Sequence, residues 1–184
     1  MVFKKTIYLA TIFYRIFLFF LNPNKWPWWN QINENIILGA IPLRNKGHDD
    51  FLIRSLEISS VLSILEEFEW ENKGTFSIPV KPEDWSRRKI PHLQIRSPDF
   101  SSINLSDIDV GVEFLRRQAL ENRTTYVHCK AGKGRSAMVV ICYLMKERFM
   151  LPDEAFRFVK GKRPLISPNK SQIKDIRRYH SIYC

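Results

Sequence analysis

Apolar positions along this chain group into short blocks and longer helical periods. Residues 36–40, 58–65 and 90–95 are brief runs rich in Ile, Val and Leu, bounded by polar or turn residues, so they read as strands. Residues 124–128 (TTYVH) make a fourth. Residues 105–121 repeat apolar side chains at helical spacing, with Ser106, Asp107 and Asp109 at the start, where a first turn favours them. Residues 50–57, 137–149, 152–160 and 169–179 read as further helices, and Asp153 and Glu154 open the third of these, at the end where the helix dipole favours acids. Strands alternating with helices predict an α/β fold: a central, mostly parallel twisted sheet flanked by helices on both faces.

Before the first strand lies a different pattern. Residues 6–21 (TIYLATIFYRIFLFFL) are almost wholly apolar, yet at 16 residues they fall short of the ~20 that a membrane span needs. Lys4, Tyr8, Thr11, Arg15 and Asn22 share one helical stripe, and Ile, Leu and Phe cover the rest. That suits an apolar helix lying in a membrane interface. Lys4 and Lys5 flank one end, and Lys25, Trp26, Trp28 and Trp29 the other, residue types that collect at headgroup depth. A targeting segment or a core helix are the alternatives, although no small-residue cleavage site is visible. Pro23 and Pro27 break the helix. Residues 1–28 are therefore read as helix and linker, and 29–184 as one domain.

The chemistry concentrates in residues 127–136, VHCKAGKGRS. Cys129 and Arg135 are separated by five residues, two of them Gly, between an apolar strand and a helix. Lys130, Ala131, Gly132, Lys133 and Gly134 can curl so that their amides point at one centre, and the next helix adds its positive end there. Gly132 and Gly134 permit backbone angles that bulkier residues resist. Arg135 supplies a planar fork matched to phosphate oxygens. In such a bowl Cys129 is favoured as a nucleophilic thiolate. Lys130 and Lys133 add charge near the mouth, and Ser136 either hydrogen-bonds the thiolate or caps the helix. Expulsion of an alkoxide also needs a general acid on a nearby loop.

HCKAGKGRS resembles the signature loop of the cysteine-dependent protein tyrosine phosphatase superfamily, dual-specificity type. The resemblance implies its fold, a phosphocysteine intermediate and no metal or other cofactor. It also implies that His128 orders the loop, and that the acid is an Asp about thirty residues before the Cys. Asp99, in RSPDF, fits that distance, whereas Asp84 beside Trp85 lies too far upstream. Across nearly the whole chain, WNQINENIILGAIPLRN, EEFE, the Asp99 segment, VHCKAGKGRSAMVVICYLM and KRPLISPNKSQI are similar to the mitochondrial protein-tyrosine-phosphatase-like lipid phosphatases. Those act on phosphatidylglycerophosphate on the route to cardiolipin. Glu67 and Glu69 of EEFE either orient loop residues or form a solvated acidic turn, while Leu38, Gly39 and Pro42 read as structural. The run CKAGKGR is also similar to a phosphoinositide 3-phosphatase loop, whose two lysines favour charged inositol headgroups.

Composition agrees with an anionic substrate. Lys plus Arg number 29 against 19 Asp plus Glu, a formal charge of +10. Such a surface suits phospholipid headgroups or other phosphorylated ligands. No nucleic-acid motif is present, so no nucleic-acid partner is expected. Cys129, Cys142 and Cys184 form no disulfide framework, which points to a reducing compartment. Cys142 reads as a core residue, and Cys184, as the last residue, fits no prenylation box. The expected function is hydrolysis of a phospholipid monoester at a membrane. The compartment would be the mitochondrial inner membrane in a eukaryote, and otherwise a bacterial membrane or a host cell. A dual-specificity protein phosphatase and a non-catalytic lipid- or phosphopeptide-binding module are the alternatives.

Overall fold

A computed structural model describes residues 2–71 and 77–184, with side chains from residue 6 onward. Five strands form one sheet in the order β1-β2-β5-β3-β4: β1 Trp29–Asn33, β2 Ile36–Gly39, β3 Ile58–Leu65, β4 His92–Arg96 and β5 Thr124–His128. Only the β1–β2 pair is antiparallel; β2–β5, β5–β3 and β3–β4 run parallel, giving the expected mostly parallel sheet.

Side-chain alternation along the strands divides the interior into two faces. Ile36, Leu38, Leu62, Ile64 and Val127 point to one face. There they meet α5 (Leu105–Leu120), α6 (Arg135–Arg148), α7 (Pro152–Lys162) and α8 (Lys170–Tyr183). Ile37, Val61 and Tyr126 point to the other, against Leu52 of α2 (His48–Arg54) and Trp85 of α4 (Pro82–Arg87). Helix α6 is the central one: every residue from Arg135 to Met145 is buried, as an apolar run of that length requires. Cys142 sits within it, fully buried.

Three elements carry too little pattern to be seen in the sequence. Strand β1 (WNQIN) is mostly amide side chains and owes its place to pairing with β2. Helix α3 (Glu67–Trp70) is a single turn, held where Glu69 Oε2 accepts the Glu66 N–H at 2.7 Å. Helix α4 begins at Pro82, a residue pre-set for a first turn. Within its first turn Asp84 pairs with Arg44 and Arg87.

The N-terminal run forms α1 (Val2–Leu21), and two residues of its polar stripe, Tyr8 and Arg15, face the sheet domain. Tyr8 and Arg15 turn inward with Ile12 and Ile16, against Trp28, Ile41, Leu43, Leu65 and Trp70. Arg15 is satisfied there: Nη1 and Nη2 donate to the Trp26 and Pro27 carbonyls at 3.0 and 2.6 Å, and the guanidinium lies 4.9 Å over the Trp28 ring. Leu9, Phe13, Tyr14, Phe17, Phe20 and Leu21 face outward. No described helix is long and apolar enough to cross a membrane.

Candidate active site

Strand β5 ends at His128, and the chain at once turns through a tight loop into α6. The parallel strands aim this loop at one edge of the sheet, and α6 begins at Arg135, two residues earlier than its apolar pattern suggests. Gly132 adopts φ 65, and a Cβ there would overlap the Gly39 carbonyl, so the β2 end and the loop meet backbone to backbone. At Gly134 the lack of a side chain admits Gln172, whose Oε1 would stand 2.9 Å from a Cβ. Gly134 thus combines a backbone pair of φ −113 and ψ −80, outside the regions bulkier residues favour, with space for Gln172, while Gly132 takes the left-handed φ.

Arg163, at the C-terminal end of α7 and fully buried, ties the loop from behind. Its Nε and Nη2 donate to the Gly132 and Ala131 carbonyls at 2.8 and 3.3 Å. Because each peptide is planar and trans, carbonyls drawn outward leave the following N–H groups turned toward the bowl.

At the floor, Cys129 is 3% exposed. Ser136 Oγ donates to its Sγ at 3.2 Å. Burial by itself raises a thiol pKa, but the Arg135 charge and the Ser136 hydrogen bonds outweigh it, and the net direction is downward. Behind it, His128 Nε2 shares a 2.7 Å hydrogen bond with Ser63 Oγ, which also bonds His92 Nε2 at 2.8 Å. Burial pushes His128 down to about 3, so it is neutral at physiological pH. Its Nδ1 lies 3.3 Å from the Cys129 carbonyl.

Arg135 is fixed from α3. Its Nη1 and Nη2 donate to Glu69 Oε2 and Oε1 at 2.7 and 3.0 Å, a two-point clamp between side chains each 1% exposed. Nη1 also donates to the Ser97 carbonyl at 2.8 Å. Of the two acids considered for this role, Glu69 takes it, whereas Glu67 pairs with Arg96 at the surface. Asp99 follows β4 and stands over the loop: Oδ1 lies 3.0 Å from Arg135 Nη2, and Oδ2 pairs with Lys130. Lys130 is thereby buried, whereas Lys133 stays partly open, its ammonium 5.9 Å from the Trp26 ring.

Cys129, Lys130, Ala131, Lys133, Gly134, Arg135 and Asp99 thus line a single cavity of about 340 Å³. Asp84 lines none of it, and Asp109 is held by Lys146 and Tyr179. Residues that local pattern did not single out for the site also meet here. Arg15 and Thr11 form one wall from α1. Asn169 and Gln172 at the start of α8 donate to the Phe100 and Ser101 carbonyls at 2.6 and 2.9 Å, tethering the Asp99 loop. Their Asn-x-x-Gln spacing is a capping-box signal that marks the helix start but not this second use. Among the described residues, no three His, Cys, Asp or Glu side chains converge as a metal-binding group.

Comparison with known proteins agrees with this geometry. Residues 46–182 match the dual specificity phosphatase catalytic domain. The chain is 32% identical over 176 residues to phosphatidylglycerophosphate phosphatase PTPMT2 of Arabidopsis thaliana, covering 95% of this chain and 72% of that protein. It is 28% identical to phosphatidylglycerophosphatase and protein-tyrosine phosphatase 1 of Mus musculus, covering 96% and 89%. The crystal structure of PTPMT1 in complex with PI(5)P superposes with a TM-score of 0.74 at 27% identity, over 84% of this chain and 95% of that one.

Proposed function

The chain belongs to the dual specificity phosphatase family, and from that premise we propose that it removes a terminal phosphate from a phospholipid headgroup, with phosphatidylglycerophosphate as the first substrate to test. The observation that carries the chemistry is the buried Cys129, hydrogen-bonded by Ser136 and neighboured by an Arg135 locked onto Glu69. In the first step the Cys129 thiolate attacks phosphorus, while Arg135 and the loop amides hold the non-bridging oxygens. With the substrate phosphate in its place beside Arg135, Asp99 in its protonated form gives that proton to the departing alcohol oxygen as the P–O bond breaks. In the second, Asp99 takes a proton from water, the water oxygen bonds to phosphorus, and the S–P bond breaks. Cys129 leaves as the thiolate that Ser136 stabilises.

The lipid reading draws on the phosphatidylglycerophosphate phosphatases to which the chain is similar and on α1. That helix turns Leu9, Phe13, Phe17, Phe20 and Leu21 outward on the element that walls the cavity. Exposed apolar side chains in a chain of charge +10 suit an anionic membrane surface. Sedimentation with anionic vesicles tests that contact, and a full chain left in the supernatant sinks it.

Phosphate release by the full chain, without added metal, is to be measured on phosphatidylglycerophosphate, individual phosphoinositides, a phosphotyrosine peptide and an aryl phosphate. Cys129→Ser is the blank. A preference for phosphatidylglycerophosphate supports the reading, and preference for one phosphoinositide moves it to that lipid. Preference for the peptide replaces it with a protein phosphatase. Turnover surviving in Cys129→Ser overturns the mechanism.

A further inference from the structure

The cations around the phosphate loop fall into two groups. Arg135 and Lys130 face carboxylates, Glu69 and Asp99. The second group is Arg15, Lys133, Lys160 and Arg163, which act on one another, and among the described residues none of them pairs with a carboxylate. Arg15 is held by the Trp26 and Pro27 carbonyls, and Lys160 by the Ile166 carbonyl. Arg163 is held by loop and linker carbonyls and Asn30 Oδ1. Lys133 rests on the Trp26 ring. The group is mutually repulsive: burial first, then Arg15, Arg163 and Lys160, holds the Lys133 ammonium below its usual pKa. Burying cations without a counter-charge is costly, and among the described residues only carbonyls, an amide oxygen and the Trp26 and Trp28 rings offset it here.

Arg15 is the outlying member. It is 3% exposed, it arrives on α1 rather than on the sheet domain, and it lines the same cavity as Cys129 and Arg135. Two of its five N–H groups are spent on carbonyls, and Nε is buried without a partner. The cavity, at about 340 Å³, lies within the ~300–1,000 Å³ range of whole-ligand sites. It therefore has room for a headgroup, and Arg15 and Lys133 line it together with Cys129 and Arg135.

We infer that Arg15 and Lys133 form a second anion subsite, which takes a second phosphate of the same headgroup while the first sits over Cys129. The shared chemistry is a phosphate ester one headgroup away from the scissile one. It is the diester phosphate in phosphatidylglycerophosphate and the diester or a further ring phosphate in a phosphoinositide. Helix α1 then selects the substrate as well as contacting the membrane. The inference rests on the lipid reading above.

The test uses the full chain with short-chain, water-soluble phosphatidylglycerophosphate and phosphoinositide, and with an aryl monophosphate for reference. Soluble substrates separate the subsite from vesicle binding. Arg15→Gln is expected to lower kcat/KM on the two-phosphate esters about 10-fold more than on the aryl ester, mainly through KM, as loss of a charge-assisted hydrogen bond implies. Arg15→Lys should recover part of that ratio. Lys133→Gln leaves the carbonyl bonds of α1 intact and should shift the ratio in the same direction, so the test survives an Arg15→Gln chain that fails to fold. A response confined to one lipid identifies which headgroup the subsite serves. Equal losses on all three substrates, or no change on any, overturn the subsite alone. A wild-type chain that hydrolyses the aryl ester and neither lipid overturns the lipid reading and the subsite with it.

Discussion

Arg135 and Arg163 are both buried, 1% and 0% exposed, and both touch the phosphate loop, yet their surroundings differ in kind. Arg135 meets two carboxylates, Glu69 and Asp99, and their attraction outweighs its burial and raises its pKa. Among the described residues Arg163 donates to carbonyls and an amide oxygen, and burial brings it down to about 10. The first arginine has its charge balanced and its fork aimed, so it can trade Asp99 for a phosphate while Glu69 keeps it in place. The second spends its donors on the chain itself and fixes the direction of the loop amides. One arginine is part of the pocket, and the other shapes it. Charge alone does not distinguish the two; the partner set does.

The sharpest way to break this contrast is to remove the clamp. Glu69→Gln leaves a buried guanidinium with one charge partner fewer. Stability is expected to fall by about 3–5 kcal/mol, as when a buried ion pair loses one member. Turnover of an aryl phosphate should fall roughly 100-fold as the fork loses its aim. Denaturant unfolding beside steady-state kinetics measures both, and an unaltered rate would mean that Arg135 holds its position without Glu69. The Arg163 side should give a smaller effect. Arg163→Met retains bulk but orphans the Gly132 and Ala131 carbonyls, at about 1–3 kcal/mol for each that stays buried and unpaired. Its kcat should fall less than that of the Glu69 variant. If it falls further, loop direction matters more than the aim of the fork.

The mildest expected effect concerns pH and separates the two influences on the thiol. With the Cys129 pKa lowered in the fold, the acid limb of kcat/KM should lie below the ordinary thiol range, because the thiolate persists as pH falls. Ser136→Ala removes a donor that favours the thiolate, so the limb should move upward, toward that range. The Arg135 charge remains, so some depression should persist. A limb that does not move assigns the whole effect to the arginine.

Much of this was legible in the sequence, and the remainder divides along the same line as the two arginines. Strands β2 to β5 and helices α5 to α8 follow from local periodicity, which is a property of neighbouring residues. The loop from Cys129 to Arg135 is equally local, as the spacing itself brings the chemistry together. Glu69 was narrowed only to one of two acids, since burial at its position depends on α3 folding against the loop 66 residues away in the chain. Arg163 carries no local mark, because its partners Gly132 and Asn30 lie 31 and 133 residues away. Arg15 was seen as part of a polar stripe, but its direction was not legible. A narrow polar stripe on an otherwise apolar helix does not say which face turns inward until Trp28 and two carbonyls supply partners for Arg15.

That orientation of α1 also bears on how the protein can be handled. A chain trimmed at Asn22 to remove an apparent anchor would lose the cover of Trp28, Ile41, Leu43, Leu65 and Trp70. It would then show water a contiguous apolar surface of the kind that drives aggregation. Trimming would therefore exchange the outward apolar face of α1 for a new one on the sheet domain, rather than remove exposed apolar surface.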